Sequence, residues 1–263
     1  MPSDADKSLV GPEWPEIVRR IRARTPARLL LGRAGAAYRT ATQLDLREAH
    51  AAARDAVRTK LNMESAFGGA FVKQWALFEV WTQAKSKDEY LLRPDLGRRF
   101  DDASRADLVK HCPTGNDFQI AIGDGLSVSA IAAQVPLLLP LLCEGAKARG
   151  WTIGQTFAIH YCRVGILNEI GELLAPRVAL LLIGERPGLA TAESLSAYMT
   201  YRPSRTHTDA DRNLISNIHS RGVSPQDAAI RILNLAAKMM EVGASGCNVR
   251  EEFPATEKRQ ELL

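Results

Sequence analysis

The sequence predicts a mixed α/β fold, with a Rossmann-like parallel sheet in its C-terminal part and a small helical unit before it. Three observations carry that prediction. Residues 178–183 are an unbroken apolar run of strand length, as a central parallel strand buried on both faces must be. Strand-like runs at 118–122 and 156–161 alternate with helix-like stretches at the spacing of βαβ units. Up to Cys112 the pattern is one of helices and loops, without a clear strand series. The chain divides accordingly into an amphipathic extension (1–26), a helical unit (27–112) and an α/β unit (113–263).

Taken in order, Trp14, Ile17, Val18 and Ile21 fall on one face of a short helix ringed by Arg19, Arg20 and Arg22, which Pro26 ends. Such a helix either docks on a partner or shell protein or packs on its own domain. Gly32-Arg-Ala-Gly35 has part of the look of a phosphate loop. It lacks the full G-x-G-x-x-G and reads as a turn. Thr42 is a plausible cap for an alanine-rich helix through Leu44, Ala49, Ala53 and Val57. Phe67, Phe71, Trp75, Phe78 and Trp81 recur at helical steps and read as core. Pro94 and Gly97 forbid one long helix over 90–100, and Ser104 is expected to cap a short one.

Beyond Pro113, strand 118–122 is turned by Gly123-Asp124-Gly125, and Ser127 or Ser129 starts a helix. Pro136 and Pro140 are expected to interrupt the apolar run that follows, so no run approaches a membrane span. Val164, Ile166, Ile170, Leu173 and Leu174 mark a helix stopped by Pro176. Residues 195–201 read as a further strand, and Ser224 caps a helix that Gly243 closes.

The loop Gly184-Glu185-Arg186-Pro187-Gly188 follows the apolar run. Ligands of open α/β sheets bind at the carboxyl ends of strands, and two glycines there allow backbone to approach a ligand closely. The bland alternative is a strand-to-helix turn with a local Glu–Arg pair. As a loop side chain, Glu185 is expected to matter little for folding.

A chain of 263 residues can bury a sizeable core. Its net charge of +4, scattered along the chain, argues against nucleic acid as a partner. Cys112, Cys143, Cys162 and Cys247 have no paired spacing and suggest free thiols in a reducing cytoplasm, and no secretory pattern opens the chain. His111 beside Cys112, and His160 near Cys162, lack the further ligands a metal needs. There is no G-x-S-x-G, P-loop or H-E-x-x-H motif. The residues alone describe a ligand-binding α/β protein without a visible catalytic constellation, and without metal ligands.

Seven stretches in a fixed order add a resemblance. They are GRAG (32–35), HAAARDAV (50–57), YLLRPDLGRR (90–99), DGLS (124–127), RVGILNEIGE (163–172), LLIGERPGL (181–189) and SNIH (216–219). Together they resemble the small (light) subunit of ethanolamine ammonia-lyase, over most of the chain. The resemblance implies an adenosylcobalamin-dependent lyase that converts ethanolamine to acetaldehyde and ammonia. It implies a large TIM-barrel subunit carrying the substrate site, with the cobalamin and its cobalt held between the two subunits. It also implies a cytoplasmic place, inside a bacterial microcompartment where the host builds one. The family's cobalamin contacts map to Val164, Glu185 and Leu214. Many relatives carry cysteine where Leu214 stands, so a thiol contact is replaced by apolar side chain and backbone. Two other readings remain: a stand-alone nucleotide-binding enzyme, and a non-catalytic interaction protein that has lost cobalamin.

Overall fold

A computed structural model of the chain describes residues 16–25, 29–31, 33–188 and 191–251. Trp14, Pro26, Gly32 and Leu189 therefore lie outside the described residues. The elements in order are α1 (Glu16–Ala23), the hairpin β1 (Arg33–Ala34) and β2 (Ala37–Tyr38), α2 (Thr40–Arg58), α3 (Met63–Phe67), α4 (Gly69–Gln74) and β3 (Phe78–Trp81). Then come α5 (Lys87–Leu92), α6 (Asp102–His111), β4 (Phe118–Gly123), α7 (Val128–Ala148), β5 (Phe157–His160), α8 (Ile166–Leu174) and β6 (Val178–Gly184). The chain closes with β7 (Leu195–Tyr201), β8 (Asn213–Ile218) and α9 (Pro225–Val242).

The main sheet has the order β3-β5-β4-β6-β7-β8. Strands β3, β5, β4 and β6 are parallel. Strands β7 and β8 are antiparallel to their neighbours. The expectation of a wholly parallel sheet is corrected at this edge, and the reason is chain length. A parallel return needs a crossover of a dozen or more residues, commonly a helix. Residues 185–194 provide only a short reversal, so β7 runs back along β6.

A second correction concerns the strand series. Phe78–Trp81 is a strand, paired in parallel with β5, although it precedes Cys112. Phe78 and Trp81 had seemed the end of a helical aromatic stripe. Phe67 ends α3, Phe71 lies on α4 and Trp75 caps α4, with successive ring centroids 6.0 Å apart. Residues on both sides of Pro113 thus share one sheet and one apolar cluster, in which Val80, Phe100 and Leu108 pack with Phe157 and Ile159.

Alternation along β6 explains the layers. Val178, Leu180 and Leu182 face the cluster built with α7 and α9. Ala179, Leu181 and Ile183 face the cluster built with α6 and α8. A strand covered on both faces has no polar side, which is why residues 178–183 contain no polar residue.

Three boundary expectations change. Helix α7 runs through Pro136 and Pro140 unbroken. Burial of Val135, Leu138, Leu139 and Leu142 outweighs the backbone hydrogen bonds the prolines remove. By length and composition α7 could cross a membrane; here it packs as a core helix on the sheet, beside α9. The cap of α6 is Asp101, whose carboxylate accepts from Ser104 N–H at 2.8 Å, while the Ser104 hydroxyl accepts from Trp81 N–H. Helix α2 starts at Thr40 after Arg39, ahead of Thr42, with no side-chain cap. Ser127, Ser224 and Gly243 cap as expected.

All four cysteines are free, with Cys247 alone exposed. Burial pushes the thiols up, to about 12 for Cys112 and about 11 for Cys143, which keeps them protonated and inert. A thiol reagent added to native protein should titrate one group rapidly, and all four after unfolding without reductant. Helix α1 buries none of its described residues, and Ile17 and Ile21 remain exposed. Deleting residues 1–24 should therefore change unfolding free energy by no more than about 0.5 kcal/mol, as measured by urea titration.

Candidate functional site

The parallel strands deliver their carboxyl ends to one edge of the sheet. Asp124 and Gly125 follow β4, residues 161–164 follow β5, and residues 184–186 close β6. Strand β8 runs the same way as β6 and brings Leu214 and Ser216 to this edge, while β7 enters from it with Ser196 and Tyr198. A cleft of about 330 Å³ opens there. Val164, Glu185 and Leu214, which the sequence places on three separate stretches, all line it.

Two glycines set its floor. A β-carbon on Gly184 would lie 2.0 Å from the Ser127 carbonyl oxygen. One on Gly125, where φ is +54°, would lie 2.4 Å from the Gly184 carbonyl oxygen. The loops after β4 and β6 are in backbone contact here, sealed by Leu126 N–H donating to Gly184 C=O at 3.1 Å.

Behind the floor sits a buried ion pair. Lys87 Nζ donates to Asp124 Oδ2 at 3.3 Å and to the Gly125 carbonyl at 2.9 Å. Asp124 Oδ1 accepts from Cys162 N–H at 2.9 Å. This pair ties the ends of β4 and β5 to α5. Tyr90, also on α5, donates its hydroxyl to the Cys162 carbonyl at 3.0 Å. The Arg163 guanidinium lies 4.2 Å over the Tyr90 ring. Burial, reinforced by the Asp124 charge, holds the Tyr90 hydroxyl and the Cys162 thiol well above their ordinary pKa values, so both stay neutral.

Glu185 has a larger structural part than a loop residue suggests. Its carboxylate accepts from the Ser194 and Ser196 hydroxyls, each at 2.7 Å, and from Asn217 N–H at 2.9 Å. The Asn217 contact matters because β8 is bulged there: the step from Leu195 to Ala197 on β7 is matched by the step from Ile218 to Ile215. Asn217 sits at φ +61°, and Glu185 satisfies the N–H that the bulge frees from the ladder. The local Glu185–Arg186 pair of the alternative reading is not formed among the described residues. The expectation that Glu185 matters little for folding is overturned by these three bonds.

The cleft's remaining surface has two characters. Leu126, Val164, Ile183 and the 46% exposed Leu214 are apolar. The Tyr198 and Ser216 hydroxyls and the Arg186 guanidinium line the same cleft, with no hydrogen bond among the described residues. Burial, with the Glu185 charge adding to it, raises the Tyr198 pKa and keeps that hydroxyl a donor. Sequence reasoning missed Tyr90, Arg163, Tyr198 and Ser216 as cleft residues. Tyr90, Arg163 and Ser216 open three of the quoted motifs, which is the signal that could have found them. Tyr198 had no signal beyond its place on a strand. Among the described residues no three His, Cys, Asp or Glu side chains gather as a metal site. The edge thus presents apolar side chains and unengaged hydrogen-bonding groups side by side.

The comparisons with known proteins agree with the family resemblance read from the sequence. The family model described as Ethanolamine ammonia-lyase light chain (EutC) matches residues 15–250. An ethanolamine ammonia-lyase small subunit of Clostridium perfringens is 42% identical over 230 residues, covering 88% of this chain and 76% of the relative. That of Fusobacterium nucleatum subsp. nucleatum is 41% identical over 229 residues, covering 87% and 76%. With most of its length matched at this identity, the chain belongs to the ethanolamine ammonia-lyase small-subunit (light-chain) family.

Proposed function

We propose that this chain is the non-catalytic half of an adenosylcobalamin-dependent ethanolamine ammonia-lyase, and that its cleft holds one side of the cofactor against a large TIM-barrel subunit. The observation that carries the proposal is the convergence of Val164, Glu185 and Leu214 on one strand-end cleft.

The residues fit the group. A corrin is a broad apolar plate rimmed by amides. Leu126, Val164, Ile183 and Leu214 provide apolar contact, and Tyr198, Ser216 and Arg186 provide polar groups not already engaged. Glu185 sets the edge on which they stand, and its carboxylate retains acceptor capacity for an amide or a ribose hydroxyl. When bound, adenosylcobalamin supplies the radical chemistry that eliminates ammonia. The chain's own work is to cover, orient and exclude water from that cofactor. Acid–base groups for the substrate belong to the large subunit. The complex works in the cytoplasm, or in a microcompartment where the host has one, with α1 as the segment available to a shell protein.

Reconstitution tests this. The full chain with adenosylcobalamin and ethanolamine should release no acetaldehyde, and adding the large subunit should restore turnover. Acetaldehyde from the chain alone would refute the proposal.

One observation favours a second reading, that of an interaction subunit without cobalamin: both Glu185 oxygens already accept protein hydrogen bonds. That reading requires the complex to bind cobalamin no better than the large subunit alone.

A further inference from the structure

A second cavity, of about 490 Å³, lies next to the cleft, where Gly165 follows Val164 and where Arg212 precedes Leu214 by two residues. Four arginines and four carboxylates line it, but two of the carboxylates are paired with arginines outside the lining, which leaves two lining arginines without a carboxylate. Each carboxylate already has a cation: Asp95 with Arg93 at 2.7 Å, Glu169 with Arg105 at 3.1 Å, Glu172 with Arg205 at 2.5 Å, and Asp209 with Arg212. Arg98 and Arg99 line the same wall and have no ion pair or side-chain hydrogen bond among the described residues. The Arg212 side chain is only 5% exposed. It donates to Asn168 Oδ1 at 2.8 Å and to Asp209, yet its Nε has no partner. His207 Nδ1, on the same lining, is also buried without one.

We propose that this cavity is a binding site for a phosphate-class oxyanion, held between Arg98 and Arg212. A guanidinium that is nineteen-twentieths buried, with a donor left over and a second, unpaired guanidinium beside it, is an arrangement an oxyanion completes. Burial lowers the pKa of Arg212 below the ordinary arginine value; Asp209 opposes that shift, and the neighbouring Arg98 charge adds to it. An anion between the two arginines removes their repulsion and gives Arg98 the counter-charge it lacks. Arginine suits a tetrahedral oxyanion because its planar fork offers paired donors.

The site rests on its own residues and not on the cobalamin reading, so the first test needs no cofactor. Inorganic phosphate is titrated into the full chain by calorimetry and by thermal unfolding, with chloride at matched ionic strength as control. Phosphate should bind saturably and raise the unfolding temperature where chloride does not. Arg98→Gln replaces an exposed side chain, so the fold should survive it, and it should weaken phosphate binding by about tenfold or more. Arg99→Gln is the second variant, and Arg20→Gln on α1 should leave binding unchanged. Phosphate no more effective than chloride, or Arg98→Gln and Arg99→Gln both binding phosphate like the unsubstituted chain, would overturn the proposal.

Two sources share this chemistry, and the complex with the large subunit separates them. If the occupant is the phosphodiester of a cobalamin nucleotide tail, Arg98→Gln weakens cobalamin and spares cobinamide, which lacks that tail. If it is a free phosphate, both corrinoids keep their affinity while inorganic phosphate binding is still lost. Either outcome supports the oxyanion site.

Discussion

Asp124→Ala should lower folding stability by about 3–5 kcal/mol, the cost of leaving a buried cation without its counter-charge. Asp124 is fully buried and Lys87 nearly so. Without the carboxylate, Lys87 retains only the Gly125 carbonyl and the face of Tyr90, and the Cys162 N–H loses its acceptor. Urea unfolding should show a lower midpoint with an unchanged slope. The double variant Asp124→Leu with Lys87→Met should recover much of the loss, because an apolar pair of similar volume needs no ion desolvation. A change of less than about 0.5 kcal/mol in Asp124→Ala, the range of ordinary surface substitutions, would show that the pair does not hold the sheet edge.

Glu185→Ala should act on stability and on cofactor together. It strands the Asn217 N–H at the β8 bulge and frees two buried serine hydroxyls, at a cost of about 1–3 kcal/mol. Cobalamin binding by the complex should weaken about tenfold or more, since the edge carrying Leu214 and Ser216 loses its tie to β6. Glu185→Gln retains an acceptor oxygen and should recover part of both losses. Stability that falls while cobalamin affinity stays unchanged would make Glu185 purely structural.

How far the fold was legible follows from where each signal resides. Strand β6 could be read from its unbroken apolar run, because burial on both faces demands one, while β4, β5 and β7 were read from apolar-rich stretches that Gln119, His160, Ser196 and Thr200 interrupt. Strand β3 was hidden because Phe78 and Trp81 continue a helical spacing begun by Phe67, and a four-residue edge strand has too little sequence of its own to contradict it. The antiparallel edge was missed for a different reason: direction is decided by the length of a connection, not by the strand. Pro136 and Pro140 read as breakers because local propensity was weighed without the core packing that holds α7 together.

Val164 and Glu185 lie in quoted motifs and Leu214 came from the resemblance alone; all three line one cleft. The polar partners were not legible, because they depend on long-range pairing. Nothing local links Asn217 to Glu185, or Lys87 to Asp124. For the Glu185 carboxylate the sequence offers a ligand or a local Glu–Arg pair; the structure shows it holding a bulge that no single-strand pattern discloses.

The measurement that tests the account most directly is equilibrium binding of adenosylcobalamin to the large subunit alone, to the complex, and to the complex carrying Leu214→Asp. Leu214 is 46% exposed on the cleft wall, so the substitution should leave folding intact while placing a charge against an apolar plate. The complex should bind the cofactor more tightly than the large subunit alone, and Leu214→Asp should weaken that binding by about tenfold or more. Equal affinity in all three samples would contradict the placement of cobalamin on this cleft.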